Sequence, residues 1–390
     1  MKRTLFLILL FAAGVSTSTF SAEFITKIVD GLGRPIPDVA VKVLWYREVS
    51  EDSVDTIDSL VLRSDSGGIV RGKYRKKTDV ANEFLVIEFS KDGYGEYNQG
   101  FNFNQVEREY VIRKIITAKD VHRVAKLKGE AQRIELRELL RSEFKSDNDT
   151  IVNFGNGLTE LIFFYERQFS PALRSLIEDD KVGPLAGDLL AVISNPEDLS
   201  MLVQRGRQSY LIVSSLLDPN SNEEWAFLRK CALNNEDFRI AGRAINSLKL
   251  IPSKHSLEIL QDTYKWNRHM RELVNEAIQY LKSNPQPLTD TSLVELEKKV
   301  AKAIQMSGWT GNGIPRFNAE ENKALIDFDF IVDCNFAEIL DMVDAESSVK
   351  LRDLYVYTAT FHKVNGVWKL RSLRETMRAS LGAADTSKTE

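Results

Sequence analysis

The sequence contains few of the residues from which disulfide frameworks and metal centres are built. Among its 390 residues are two cysteines, Cys231 and Cys334, and four histidines. Two cysteines that fall in different predicted domains form neither a disulfide framework nor a metal cluster. We expect both to be free buried thiols, because unpaired cysteine is among the most buried residue types. A disulfide between them is the alternative, and it would join two domains.

A strong charge of either sign is also missing. The chain has 52 basic and 56 acidic residues and a net charge of −4. No run or stripe of lysine and arginine occurs in it. Because nucleic-acid binding depends on a clustered positive surface, we expect no nucleic-acid partner.

Motifs of common catalytic and metal sites are absent as well. The sequence has no Gly-x-Ser-x-Gly, P-loop, dinucleotide or zinc motif. Two histidines lie near acidic residues, but a metal site needs ligands on facing surfaces, so we expect exposed polar positions on helices. These residues are His255, His269, Glu258, Asp262 and Glu272.

One apolar run stands out near the N-terminus. Lys2 and Arg3 precede the uncharged stretch Leu5–Val15, and small residues follow it. This layout is typical of a secretory signal peptide. The run is shorter than the roughly 20 residues that span a bilayer. We therefore predict removal of a signal peptide, residues 1–22, after Ser21 or Ala22, and an exported protein, periplasmic or secreted, with no stable membrane insertion. An uncleaved anchor is the alternative.

Residues 23–116 predict a small β domain. Apolar residues alternate between 39 and 46, and further strands are predicted at 84–89 and 109–116. Turn-forming clusters lie between them, at Asp30–Pro35, Asp65–Gly68 and Lys91–Tyr94. Short strands separated by turns favour a β sandwich.

The turns of this domain resemble those of a known family. Val29–Gly31, Gly33–Val41, Asp65–Gly68 and Asp92–Tyr94 are similar to the carboxypeptidase regulatory-like (transthyretin-like) domain. The resemblance implies a seven-stranded prealbumin-like sandwich that serves as an accessory or docking module. No peptidase domain follows, so it implies no peptidase activity.

Two ligand hypotheses concern the same domain. Carbohydrate or cell-envelope binding would need an exposed row of aromatic side chains, for which the candidates are Trp45, Tyr46, Tyr94 and Tyr97. Calcium binding would need converging oxygen ligands. The acidic residues between 48 and 58 fit no calcium-loop spacing, so we expect a solvated acidic loop. They are Glu48, Glu51, Asp52, Asp55 and Asp58.

Residues 117–287 have the pattern of a helical repeat array. Similar apolar spacings recur at 210–217, 239–248 and 274–281, a period near 32. We predict one long helix over 121–145 and then four helix pairs. The pairs are 172–178 with 185–193, 199–204 with 210–217, 225–233 with 240–250, and 257–264 with 270–281. Prolines mark the predicted breaks, at Pro171, Pro184, Pro196, Pro219, Pro252 and Pro285.

The later pairs resemble HEAT-like repeats. Phe238–Ala244 and Met270–Val274 look like second helices of such repeats. The resemblance implies an array that binds other proteins. Trp225, Tyr264 and Trp266 are candidate contact anchors, although core packing is the favoured role for all three.

Residues 288–380 predict an α+β domain, followed by a disordered tail over 381–390. A helix is expected over 292–306, a loop over 308–315, and strands over 324–331 and 355–362. Asn365-Gly366 is a strong signal for a two-residue hairpin. It places Val364 opposite Val367, Lys363 opposite Trp368 and Phe361 opposite Leu370.

This hairpin resembles the end of an NTF2-like (SnoaL-like) cone, a family that includes isomerases and non-catalytic binding or oligomerising domains. The resemblance implies an Asp or His inside the cone of an enzyme, and it allows self-association through this domain. The predicted register instead puts Phe361 and Trp368 inside, and His362, Asp327 and Asp329 outside. We expect His362 to be exposed beside Lys369. Since such catalysis needs an acid or base in an apolar pocket, we predict no catalytic residue.

The sequence thus predicts a chain of three domains: an all-β prealbumin-like sandwich, an α-helical repeat array (α-solenoid) and an α+β NTF2-like cone. We interpret it as an exported, non-enzymatic binding or scaffold protein that acts on another protein. It has no predicted catalytic, cofactor-binding or metal site. The alternatives are small-ligand binding or isomerase-like activity in the cone, and carbohydrate or envelope binding by the β domain.

Overall fold

The computed structural model describes residues 20–50, 53–76, 83–101, 109–145, 151–153, 156–206, 209–216, 218–304, 309–335 and 350–383. Sheets come first in this part of the chain, a helical region follows, and a further sheet ends it, which confirms a mixed multidomain architecture. The chain divides into two compact units. Met1–Arg123 and Arg137–Gly157 make up the first, and Val124–Leu136 and Leu158–Glu390 the second.

Seven strands form two sheets in the first unit. They are β1 Phe20–Val29, β2 Ala40–Ser50, β3 Ser53–Arg63, β4 Ile69–Lys76, β5 Glu83–Ser90, β6 Tyr97–Phe101 and β7 Glu109–Val111. One sheet has the order β4-β1-β7 and the other β3-β2-β5-β6. All neighbours are antiparallel except β1 and β7, which are parallel.

The two sheets share one hydrophobic core. Val41, Val43 and Trp45 of β2 point into it, as their alternation predicts, and they meet Ile28 and Val70 of the other sheet. Apolar residues two apart share one face of a strand, so this face is removed from water as a unit.

The three predicted turns are confirmed, and each closes with a backbone hydrogen bond. The bonds run from Gly33 N–H to the Asp30 carbonyl, from Gly68 N–H to Asp65, and from Tyr94 N–H to Lys91. Asp30 Oδ1 also accepts from the amides of Leu32 and Arg34, each at 2.9 Å. The Asp30 side chain itself stabilises the turn, so the turn could be predicted from the local sequence.

The long helix predicted over 121–145 is wrong. The chain forms α1 Ala118–Ala125, then α2 Gly129–Leu139, and the segment ends as strand β9 Glu143–Lys145. Gly129 has a φ of 59°, and this left-handed backbone cannot continue a right-handed helix. The predicted strand 109–116 is also divided, because β8 Ile115–Ile116 leaves the sandwich to pair with β9, which in turn pairs with β10 Ile151–Asn153.

The described part of the middle region is helical. Its helices are α3 Asn156–Phe164, α4 Glu166–Leu176, α5 Gly183–Ile193, α6 Pro196–Gln204, α7 Tyr210–Ser214, α8 Asn222–Ala232, α9 Phe238–Lys249, α10 Lys254–Trp266 and α11 Arg271–Ser283, with a 3-10 turn at Arg268–Met270. Serine or aspartate side chains cap several of their N-termini, at Ser209, Ser221, Asp237 and Ser253.

These helices pack in two layers. The members of each predicted pair contact each other: α4 with α5, α6 with α7, α8 with α9, and α10 with α11. The second helices α5, α7, α9 and α11 also contact one another in sequence, as do α6, α8 and α10. Ala244 of α9 and Ala277 of α11 are fully buried. The prediction that these two residues face inward is therefore confirmed.

One proline does not mark a helix break. Pro171 lies inside α4, which begins five residues earlier at Glu166. Proline removes one backbone donor from a helix interior but does not forbid the helix when packing holds it. Here Phe169, Ala172 and Leu173 on either side of it are buried. The other prolines named above lie at helix starts or between helices.

The C-terminal segment forms one helix and one five-stranded antiparallel sheet. Its elements are α12 Leu293–Ile304, β11 Trp309–Asn312, β12 Arg316–Phe317, β13 Lys323–Asn335, β14 Lys350–Val364 and β15 Val367–Ala383. The sheet order is β11-β13-β14-β15, with β12 paired to β13. Leu296 and Val300 of α12 pack on its apolar face against Phe328, Phe330 and other buried residues.

The hairpin register is confirmed in every predicted pair. Val364 lies opposite Val367, Lys363 opposite Trp368, and Phe361 opposite Leu370. Asn365 and Gly366 both have positive φ, 52° and 80°, as a two-residue turn between twisted strands requires.

Three other predicted segments have more strand than expected. The acidic loop over 48–58 is mostly hairpin, since β2 runs to Ser50 and β3 starts at Ser53; Glu51 and Asp52 lie outside the described residues. The predicted loop 308–315 contains β11, and β15 continues to Ala383.

The apolar run of the predicted signal peptide lies outside the described residues, and the predicted cleavage positions fall within β1. Among the described helices, none has the length and hydropathy needed to cross a bilayer.

Candidate binding surfaces

An exposed aromatic ridge lies where the last helix pair turns. We define it by Phe238, Tyr264, Trp266, His269 and Arg271. The first three side chains are 46%, 38% and 72% exposed. The rings of Phe238 and His269 stand 4.9 Å apart, and the Arg271 guanidinium lies 5.2 Å from the centre of the Tyr264 ring. Aromatic residues and arginine dominate the energetic centres of protein interfaces.

Buried polar contacts hold the ridge in place. Asn267, directly after Trp266, is fully buried. Its side-chain Nδ2 donates to the backbone carbonyl of Asn234 at 3.2 Å. Its backbone N–H donates to the carbonyl of Thr263 at 2.8 Å. Arg271 Nε donates to the Tyr264 carbonyl at 3.1 Å. The ridge is therefore preorganised, which lowers the entropy lost when a partner binds.

Core packing was the favoured role for three aromatic residues, and it is confirmed for one of them. Trp225 is 8% exposed and donates through Nε1 to the Pro219 carbonyl at 3.1 Å. Trp266 lies two turns after the buried Ile259, so helical spacing alone would bury it. It is instead the last residue of α10, where the chain turns and Asn267 occupies the buried position. The interpretation of Tyr264 and Trp266 as core residues is therefore wrong.

His255 and His269 lie on aromatic neighbours. His255 is 5.5 Å from the Trp225 ring, and His269 belongs to the ridge. Lys254, rather than His255, lies near Glu258, while Asp262 pairs with Arg229 at 2.5 Å. Within the described residues, no group of three or more potential ligands could hold a metal ion.

Much of the outer face of the C-terminal sheet is not solvated as predicted, because helices of the array cover it. We call this the polar face. It carries Lys323, Thr358, Thr360, Ser372 and Arg374, all of them buried. The opposite, apolar face holds Phe361 and Trp368, so the prediction that Trp368 is buried is confirmed.

The prediction that His362 is exposed is wrong. Its Nε2 atom is buried without a hydrogen-bond partner. The hydrogen bond between His362 and the backbone of Ile193 is therefore made by Nδ1. Burial lowers the pKa of His362 to about 3, and the nearby charges of Lys323 and Arg371 act in the same direction. Lys369, its cross-strand neighbour, is exposed as predicted.

Lys323 anchors the polar face to the array. Its ammonium group donates to Glu166 Oε2 at 2.6 Å, Asn195 Oδ1 at 2.7 Å and the Ile193 carbonyl at 3.2 Å. Three donors thus have three acceptors. Burial lowers the pKa of Lys323, and the charge of Glu166 opposes that shift. An ion pair satisfied in this way is the arrangement that makes a buried charge tolerable.

Further ion pairs join the sheet to the helices. Arg371 reaches Glu224 at 3.3 Å, Arg243 reaches Glu375 at 2.7 Å, and Arg316 reaches Glu160 at 2.5 Å. Arg316 also pairs with Asp327 at 2.9 Å, and the Thr358 hydroxyl hydrogen-bonds to that carboxylate. Asp327 is therefore held in an ion pair within the sheet, by an arginine that also reaches Glu160 of α3, and is not solvated as predicted, whereas Asp329 is exposed as predicted.

Arg374 is the most deeply placed cation of this cluster. Burial lowers its pKa to about 10, and the charge of Asp327 opposes that shift. The guanidinium therefore keeps its charge at neutral pH. Its Nη1 atom is buried without a hydrogen-bond partner, so the cluster combines strong pairs with unsatisfied donors.

A cavity of about 450 Å³ opens beside the final hairpin. We call it the hairpin cavity. The β14–β15 hairpin, the segment 287–289 and the loops at 218–220 and 250–252 enclose it. Its lining includes Leu370 of the apolar face but none of the buried aromatic residues Phe328, Phe330 and Phe361, so it is not the interior pocket that the cone resemblance implies. Sequence periodicity gave no indication of it, because residues from five separate segments, Pro196 among them, build it.

The four aromatic candidates of the β domain do not form an exposed row. Trp45 is buried, and Tyr97 is half-buried against Phe89 and Tyr110. Tyr46 is half-buried and stacks on Phe84 at 5.5 Å. Half-buried Tyr94 lines a polar cavity of about 520 Å³ with Asp38, Arg63, Lys91 and Asp92 among its neighbours.

Of the two cysteines, Cys231 is a free buried thiol, as predicted. Burial raises its pKa to about 12, so it is not a reactive thiolate at neutral pH. The side chain of Cys334 lies outside the described residues.

Comparisons with known proteins do not place the chain in a family. A scan against models of known protein families gives no match, and a search of curated proteins gives none. Among solved structures, a match is found to the crystal structure of 3-chlorocatechol 1,2-dioxygenase from Rhodococcus opacus 1CP. It is 12% identical, covers 25% of this chain and 61% of that one, and has a TM-score of 0.18. A likeness this low carries no conclusion about fold or activity.

Proposed function

We propose that this chain is an exported, non-enzymatic binding or scaffold protein, and that the aromatic ridge is its contact surface for another protein. The observation that carries the proposal is the exposure of Trp266, 72%, on a helical layer whose other large apolar residues are mostly buried. Exposing such a ring to water is unfavourable, and a partner would cover it.

The domain resemblances support this proposal. Two sheets of seven strands share one core, consistent with a prealbumin-like accessory domain. Two layers of sequentially contacting helices are what a HEAT-like array requires, and helix α12 on a five-stranded sheet suits an NTF2-like domain. Export is supported by the layout of the leader.

The geometry favours binding over catalysis for the C-terminal domain. Its apolar interior is filled by α12 and aromatic side chains. Several charged groups of the opposite face are engaged with helices, as Lys323 is with Glu166 and Arg371 with Glu224. A cone enzyme would need such a group inside the apolar pocket.

The test is recovery of the partner from envelope fractions with the mature protein as bait, followed by binding measurements on variants. Trp266→Ala should weaken the complex by about 2 kcal/mol or more, roughly 30-fold, as truncation of a central interface tryptophan does. Circular dichroism should show an unchanged fold, because the side chain is mostly exposed.

Ile314→Ala is the matched control. Ile314 is 86% exposed, lies outside the ridge and is likewise apolar, so its removal should leave affinity within twofold. Equal affinities for the wild type and Trp266→Ala would refute the ridge as the contact surface.

A further inference from the structure

The hairpin cavity has the size and the lining of a small-molecule site. Its volume of about 450 Å³ falls within the range of roughly 300–1,000 Å³ common for ligand pockets. Leu250, Ile251, Leu288 and Leu370 supply an apolar wall. Leu250 is buried, and Leu288 and Leu370 pack against it, so this wall is part of a fixed core.

Cationic donors converge on the polar side of the cavity. Lys369 and Arg371 both line it. Lys369 is exposed and has no carboxylate partner among the described residues. Arg371 gives one amino group to Glu224 at 3.3 Å, while its Nε atom is buried without a hydrogen-bond partner. A buried, unsatisfied guanidinium donor is costly unless something accepts from it.

Two carboxylates near the cavity each accept hydrogen bonds from the chain. Glu224 accepts from Arg371 and from the backbone N–H of Asp218 at 3.1 Å. Asp218, which lines the cavity, accepts from the backbone N–H of Asn220 at 2.9 Å. His362 also lines the cavity and adds a buried, unpartnered Nε2. The lining therefore carries two cations, Lys369 and Arg371, against one carboxylate, Asp218.

We propose that the hairpin cavity binds a small organic anion, with its carboxylate at Arg371 and Lys369 and its apolar body against Leu250, Leu288 and Leu370. A carboxylate offers the two acceptor oxygens that a guanidinium and an ammonium can share. The cavity does not involve the aromatic ridge, so this inference stands or falls independently of the protein-binding role.

The neutral state of His362 agrees with this geometry. With the low pKa described above, its imidazole carries no charge at neutral pH and leaves the anion to the two cations. Lys323, on the paired strand, is bound to Glu166 and Asn195, so it does not compete as a counter-ion. Selectivity would thus rest on Lys369 and Arg371.

The experiment uses the full chain with three probes of equal length: octanoate, octan-1-ol and octylammonium. In calorimetry, octanoate should bind with a dissociation constant at least tenfold lower than that of octan-1-ol. Octylammonium should not bind. Absent or charge-independent binding of octanoate would overturn the proposal.

Variants locate the site. Lys369→Met keeps the fold, since Lys369 is exposed, and should weaken octanoate at least fivefold without changing octan-1-ol. Leu288→Ala should weaken both probes, because it removes apolar contact. Lys302→Met, an exposed lysine of α12 away from the cavity, is the control and should change neither. Equal effects of Lys369→Met and Lys302→Met would place octanoate elsewhere and overturn the assignment.

Discussion

At the scale of single residues, His362 shows how burial reverses what a strand pattern implies. The alternation correctly separated it from Phe361 and Trp368, but the face opposite an apolar core is exposed only if nothing covers it. Here helices cover that face, and His362 sits near the cations Lys323 and Arg371. The folded chain therefore favours the neutral form of His362.

His362 should therefore make stability depend on pH. Its pKa in the folded chain is lowered from 6.5 to about 3, so below pH 6.5 the unfolded chain binds a proton that the folded chain does not. Stability is highest above pH 6.5 and is lost as the pH falls toward 3, by up to about 1.4 kcal/mol per pH unit from this group.

Urea denaturation between pH 7 and 5 measures the effect. The slope of unfolding free energy against pH should be shallower in His362→Gln than in the wild type. The exposed His255 gives a matched control, since His255→Gln should retain the wild-type slope. Parallel slopes for His362→Gln and the wild type would show that folding does not lower the pKa of His362.

At the scale of elements, α9 is the helix whose neighbours are best defined. It contacts α7, α8 and α11, and its inward residues Ala241, Ala244, Ile245 and Leu248 are fully buried. Small side chains at such positions let neighbouring helices approach closely, so the space available differs between one position of the helix and the next.

Two substitutions two residues apart on α9 should have opposite signs. Ala244→Leu should destabilise the chain by roughly 1–3 kcal/mol, because three added carbons must fit a filled contact. Gly242→Ala should stabilise it by roughly 0.5–1 kcal/mol. A Cβ at Gly242 would lie 3.8 Å from Leu273 Cδ2, an ordinary contact. Chemical denaturation measures both, and an unchanged midpoint for Ala244→Leu would contradict the inward register.

At the scale of the whole molecule, the second unit unites two regions that the sequence separates. The proline-containing segment Ser283–Pro287 is predicted from the sequence to be a linker, yet four ion pairs cross between the helices and the C-terminal sheet. They are Lys323–Glu166, Arg371–Glu224, Arg243–Glu375 and Arg316–Glu160. Leu370 and Leu373 of the sheet also pack against Leu250 and Tyr280 of the array, so separating these regions would expose apolar surface to water and is opposed.

Cutting the linker should therefore leave the two pieces associated. With a protease site placed at residues 284–287 of the full chain, the cleaved fragments should co-elute in gel filtration at physiological salt and separate in urea. The uncut protein provides the reference elution volume. Two separate peaks without urea would mean that the helices and the sheet fold and behave as independent domains.

The sequence by itself determined the local features. Asp30, Asp65 and Asn365-Gly366 specify turns through their own side chains or backbone freedom, and the 3.6- and 2-residue periodicities located most helices and the main strands. The hairpin register followed because a two-residue turn fixes its pairs. These are interactions between residues close in the chain, so neighbouring residues suffice to predict them.

Only the tertiary structure decided what covers each face. Lys323 and Glu166 are far apart in sequence, and no periodicity reveals that they meet. Trp266 has the spacing of a core residue and is exposed because the array turns beneath it at Asn267. His362 has the spacing of a surface residue, yet it is half-buried with its Nε2 enclosed, because helices lie over it. Burial depends on the neighbouring element, and the position of that element is set by the packing of the entire unit.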